Sequence, residues 1–120
     1  MTAPFRVVAI IAMFNEADII VRCIRALNEQ GVRAYVLDDG STDESVSHVE
    51  PLGGHGVIEL ERLASDDTFS LTRILRRKEQ LAEELDADWF INHDADEFRE
   101  SPWPGVTLAE ALHRVDAAGY

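Results

Sequence analysis

Acidic residues gather where three apolar runs end. Val7 to Met13 leads into Phe14-Asn15-Glu16, and Ala34 to Leu37 leads into Asp38-Asp39-Gly40. Trp89 to Asn92 leads into His93-Asp94-Ala95-Asp96-Glu97. Carboxylates brought together disfavour one another's charge unless a cation is shared. Oxygen donors of this kind suit magnesium, manganese or calcium. Each end taken singly has a plainer reading, because Asp and Asn stop strands and open turns. Three such ends in one chain favour a shared cation site.

Other polar residues carry less. Lys78 shares a helical face with apolar residues, so its ammonium either snorkels outward or meets an anion. His93 reads as a satisfied strand-end histidine, or as a partner orienting a neighbouring carboxylate. His48, His55 and His113 have no metal-ligand spacing. Trp103, set between two prolines, either shapes a lid or packs its own loop.

The elements that must position these residues alternate. The continuous apolar run Val7 to Met13 reads as a strand buried on both faces. Ala17 to Gln30 reads as a helix with the stripe Ile19, Ile20, Cys23, Ile24 and Leu27, ended by Gly31. Ala34 to Leu37 is a second strand. Ser41 to Glu44 has capping-box spacing and should open a second helix. Gly53, Gly54 and Gly56 form a loop before a third strand, Val57 to Leu60. A long helix is expected from Phe69 to Leu85, with Leu71, Ile74, Leu75, Lys78, Leu81, Ala82 and Leu85 facing inward. Trp89 to Asn92 is the fourth strand, and Thr107 to Glu110 caps a last helix running to Ala118. This alternation predicts an α/β fold. A mainly parallel sheet of about four strands would have helices on both faces. Such sheets bind ligands at the carboxyl ends of their strands, where the acidic clusters fall.

Composition narrows the function. A chain of 120 residues suits one domain, and 46% apolar residues suit a packed core. A net charge of −12 repels nucleic acid and anionic lipid. It also repels a bare polyphosphate, so a phosphate-bearing ligand needs a metal ion or a local cation. The single cysteine, Cys23, excludes an internal disulfide and a cysteine zinc cluster. No run is long enough to cross a bilayer, and no leader pattern opens the chain. These features predict a reducing, cytoplasmic setting.

The stretch Val7 to Glu50 resembles the opening of family 2 glycosyltransferases. That family shows a hydrophobic strand, a Tyr/Phe-Asn-Glu turn, an amphipathic helix and a second strand ending in Asp-Asp-Gly-Ser-Thr-Asp. The chain has Phe14-Asn15-Glu16 and Asp38-Asp39-Gly40-Ser41-Thr42-Asp43. The later Asp94-Ala95-Asp96 is similar to the family's metal-binding Asp-x-Asp. The resemblance implies the nucleotide-sugar-binding half of a metal-dependent enzyme with a Rossmann-like GT-A fold. It implies a UDP-sugar donor, a divalent magnesium or manganese ion, and an acceptor it does not identify. By resemblance Phe14 flanks the base, or else is a core aromatic. Glu16 lies near base or ribose, or else is a first-turn carboxylate. Asp39 accepts from the base, or else is a turn residue. Asp94 faces ribose and metal, and Asp96 ligates the metal. Family members carry an Arg near Lys78, so Arg77 or Lys78 is the candidate cation, although the usual Ala-Arg-Asn wording is absent.

A complete family member is longer, and its later half supplies an acceptor pocket and, in inverting members, a base. The chain therefore reads as one donor-binding domain of residues 1–120 cut from a larger enzyme, inactive alone and prone to self-association through an exposed edge. Glu97 and Glu100 adjoin the metal motif, but the resemblance gives neither the base's task. Three rivals remain. A non-catalytic nucleotide- or metal-binding module would bind without turnover. A receiver-type signalling domain would need its Asp pair after the first strand and a late lysine. An Asp-x-Asp phosphatase would have its motif after the first strand, and Thr or Val where Phe98 stands.

Overall fold

The computed structural model describes residues 5–63, 71–96, 98–99 and 101–119. Its strands are β1 (Val7–Met13), β2 (Arg33–Asp38), β3 (Val57–Arg62) and β4 (Trp89–Asp94). Its helices are α1 (Ile20–Glu29), α2 (Ser45–Val49), α3 (Leu71–Glu84) and α4 (Leu108–Ala117), with a 3-10 turn at Glu50–Leu52. The strands form one sheet in the order β3-β2-β1-β4, and every pairing is parallel. β3 and β4 are thus opposite edges, and β1 and β2 are central. The α/β architecture matches the sequence expectation.

Side chains of β1 alternate between two cores. Val7, Ala9, Ile11 and Met13 face the larger one, which α1, Val49 of α2 and Leu108 of α4 cover. Val8 and Ile10 face the smaller one, with Tyr35, Leu37 and Leu81 of α3. Burial on both sides explains why the β1 sequence is an unbroken apolar run.

α1 buries Ile20, Cys23, Ile24 and Leu27. Aliphatic burial of this kind is worth about 1.5–3 kcal/mol per side chain. The helix begins later than expected: Glu16 O accepts from both Ile19 N and Ile20 N, so residues 17–19 form a turn that feeds it. Gly31 ends it with φ +77°, a left-handed conformation natural to glycine. A Cβ there would stand 2.9 Å from Ala109 Cβ, so Gly31 also admits α4. Gln30 seats that helix, its carbonyl accepting from Ala109 N and its side-chain amide oxygen from Leu108 N, both at 2.9 Å. The Thr107–Glu110 capping box forms as expected.

Two expectations fail. Ser41 to Glu44 does not cap a helix: α2 starts at Ser45, and Glu44 makes no side-chain cap bond. The Ser41 hydroxyl instead accepts from Asn15 N, a residue distant in sequence. On α3, Ile74, Lys78 and Leu81 are buried, but Leu75 and Ala82 are exposed. Leu75 and Ala82 each lie one residue, about 100°, round the helix from the buried Ile74 and Leu81. Phe69, expected to start this helix, lies outside the described residues, as do Glu97 and Glu100. Among the described residues no helix is long and apolar enough to cross a membrane.

Candidate functional site

A cleft of about 330 Å³ opens where β1, β2 and β4 end and α3 passes over them. Phe14, Glu16, Asp39, Lys78 and Asp94 all line it. Ile74, Leu75 and Met13 give it an apolar floor and wall. Its size and mixed lining suit a small-molecule site. Phe14 is 53% exposed and lines the cleft, which removes the core-aromatic reading.

Two loops that frame the cleft are laced together. Asn15 adopts φ +50°, uncommon for a residue other than glycine but tolerated by Asn. Its side-chain oxygen accepts from Thr42 N at 2.8 Å and Asp43 N at 3.2 Å, while its own N–H donates to Ser41 Oγ at 2.9 Å. Glu16 N donates to Ser45 Oγ at 2.8 Å, and Asp39 N donates to Met13 O at 2.8 Å. Gly40, at φ +85°, lets the chain turn between Asp39 and Ser41. The Phe-Asn-Glu and Asp-Asp-Gly-Ser-Thr-Asp segments are therefore one braced unit.

The paired aspartates divide their work. Asp38 is fully buried, receives Ser41 N, and has Arg62 at 3.7 Å, so it braces the turn. Asp39 faces the cleft and accepts from Arg73 Nη2 at 2.6 Å. Arg73 was not anticipated from the sequence, since no short motif marks it.

The structure places Arg77 and Lys78 differently. Arg77 is turned to Glu61, donating from Nε at 2.8 Å and Nη2 at 2.7 Å, and it approaches Glu84. Lys78 lines the cleft, 8% exposed, and donates from Nζ to Asn92 Oδ1. Burying an ammonium is costly without an acceptor, and Asn92 supplies one. Asn92, also part of the lining, was missed because its strand pattern read as apolar.

Asp94 and Asp96 are both exposed. Asp94 ends β4 and lines the cleft; Asp96 sits in the following turn, outside the lining. Burial raises the carboxyl pKa of Glu16, and the negative charges of Asp96, Asp18, Asp43 and Asp94 raise it further. Those charges place Asp96 within electrostatic reach of the cleft. Among the described residues no group of three His, Cys, Asp or Glu side chains is arranged to enclose a metal ion. Two carboxylates fit a cation that keeps waters and takes its remaining ligands from a phosphate-bearing molecule, as magnesium does. They do not fit an all-protein cage.

His93 is fully buried, and its Nδ1 receives Arg99 Nε at 3.2 Å. The Arg99 guanidinium also donates to Asn92 O at 3.3 Å, tying the chain beyond Asp96 to β4. Trp103 is 42% exposed, with the Arg114 guanidinium 5.7 Å from its ring centre. It does not line the cleft.

The family model described as glycosyl transferase family 2 matches residues 8–64. No curated protein matches the chain. The matched stretch takes in Phe14, Glu16 and Asp39 and stops before Lys78, Asp94 and Asp96. With its parallel strands and covering helices, this stretch is similar to the N-terminal part of a family 2 glycosyltransferase domain.

Proposed function

We propose that the cleft binds the nucleoside diphosphate of a sugar donor, UDP in the first instance, together with a divalent cation, for glycosyl transfer to an acceptor. The observation that carries this reading is the convergence of Phe14, Glu16, Asp39, Lys78 and Asp94 on one cleft at the strand ends. The exposed ring of Phe14 offers a face to a base. Asp39 accepts from a base N–H, sharing its carboxylate with Arg73. Lys78 meets negative charge at the α3 side, and Asp94 and Asp96 hold magnesium or manganese from the β4 side. That ion supplies neutralisation of the charge that builds on the departing diphosphate. Ile74 and Leu75 add apolar surface beside these charges, where charge interactions are stronger than in bulk water.

Calorimetric titration of UDP into the chain, with manganese and with excess chelator, tests the reading. The expected result is binding that needs the metal. Equal affinity in chelator would overturn the metal's part. No binding in either condition would overturn the donor site. Incubation with a labelled UDP-sugar panel then separates transfer from binding alone.

A further inference from the structure

α3 straddles the sheet. Its Arg77 reaches Glu61 on edge strand β3, and its Lys78 reaches Asn92 on the opposite edge strand, β4. We propose that Tyr35, Glu61 and Arg77 form a positioning clamp that fixes the rotation of α3 and so aims Lys78 into the cleft.

Neighbouring residues on an α-helix point about 100° apart. Arg77 and Lys78 therefore pull on different sides of the same turn, and the two tethers oppose rotation in either sense. Among the described side chains of α3, Ile74 and Leu81 are the buried hydrophobic ones, with Leu85 just beyond the helix partly buried, so this apolar grip is narrow. A narrow stripe resists translation off the sheet better than rotation about the helix axis. The Arg77–Glu61 contact is a two-pronged fork, whose planar geometry fixes direction as well as distance. Glu61 is itself held, because Tyr35 Oη donates to its Oε1 at 2.8 Å. Tyr35 is 3% exposed in the core beneath α3, so the clamp is rooted in the central strand β2. Arg77 is not part of the cleft lining, and its guanidinium is engaged by Glu61 and Glu84. Its effect on a ligand must pass through the orientation of α3. Lys78 is a buried cation that this orientation places in the cleft lining.

The part that concerns ligand rests on the donor-site reading; the part that concerns Lys78 does not. Lys78 is the only lysine in the sequence, so an amine-reactive label reports on one side chain besides the N-terminus. Labelling of Lys78 is followed by mass spectrometry in the unliganded full chain, well below its melting temperature. Arg77→Gln should speed it roughly tenfold, and the milder Tyr35→Phe severalfold, as ~1.4 kcal/mol of lost orientation would. Unchanged labelling in both Arg77→Gln and Tyr35→Phe would overturn the clamp. The second arm measures UDP affinity with manganese. Arg77→Gln should weaken it roughly tenfold in the parent and less than about twofold in a Lys78→Met background. Equal losses in the two backgrounds would mean that Arg77 does not act through Lys78. Failure of the parent chain to bind UDP would count against the donor site and leave the labelling result to judge the clamp.

Discussion

Arg73 Nη2 donates to Asp39 Oδ1 at 2.6 Å, with the two side chains 27% and 7% exposed. A carboxylate read from sequence as a base acceptor is thus already tied to α3. The pairing makes sense of an acidic residue in so sheltered a place, because an unpaired buried carboxylate would be costly. It also links the loop after β2 to the helix that carries Lys78.

Asp39→Ala should weaken uridine binding without metal by about 1.5–3 kcal/mol, the range for a hydrogen bond to a charged group. Arg73→Ala should leave the loop less stable, lowering unfolding free energy by about 1–3 kcal/mol, since Asp39 loses its cation. Calorimetry with uridine and chemical denaturation read the two effects separately. Unaltered uridine affinity in Asp39→Ala would remove that residue from the site.

Asp96→Asn should separate metal binding from folding. The side chain is exposed in a turn, so the melting temperature should hardly move, within about 0.5 kcal/mol of stability. Manganese-dependent UDP affinity should fall at least roughly tenfold, because even groups that only orient metal ligands cost that much when lost. A large melting loss with affinity intact would mark Asp96 as a turn residue.

Asn15 supports the cleft by joining two loops, and its substitutions should rank. Asn15→Gly keeps the positive φ but loses the acceptor for Thr42 N and Asp43 N, at a cost of about 1–2 kcal/mol. Asn15→Ala adds backbone strain and should cost about 1 kcal/mol more. Asn15→Asp retains an acceptor oxygen and should be the mildest of the three. Equilibrium unfolding of the three variants decides; an Ala variant as stable as the parent would contradict the brace.

Much of this was legible in sequence for local reasons. β1 announced itself because both its faces are buried, and α4 because its capping box closes within one turn. Phe14, Glu16, Asp39 and Asp94 could be located because they sit at or just beyond strand ends, where parallel sheets gather their ligands. What escaped was non-local. Ser41 looked like a helix cap but is engaged by Asn15, 26 residues earlier. Arg73 carries no motif, and its partner lies 34 residues away. Leu75 and Ala82 looked inward because apolar type was taken for burial, whereas the inward line of α3 runs through Ile74, Lys78 and Leu81.

The Glu61–Arg77 contact should give stability a specific pH dependence. Hydrogen bonding from Arg77, helped by Tyr35, holds the Glu61 carboxyl below its ordinary value, against the opposing effect of burial. The same neighbourhood pushes the Tyr35 phenol up, through burial first and then Glu61. A carboxyl whose folded pKa is depressed binds protons more readily in the unfolded chain. Its contribution is therefore complete above the unfolded value of 4.5 and is lost as pH falls through the lower folded value. At neutral pH Glu61→Gln should be less stable than the parent by about 1–2 kcal/mol, the low end for a charged hydrogen bond because both side chains are 24% exposed. That gap should narrow as pH drops below about 4.5 and close once Glu61 is protonated in both states. Denaturant unfolding of the pair at a series of pH values measures it. A gap that stays constant down through acid would assign the loss in Glu61→Gln to packing and remove the charge from the explanation.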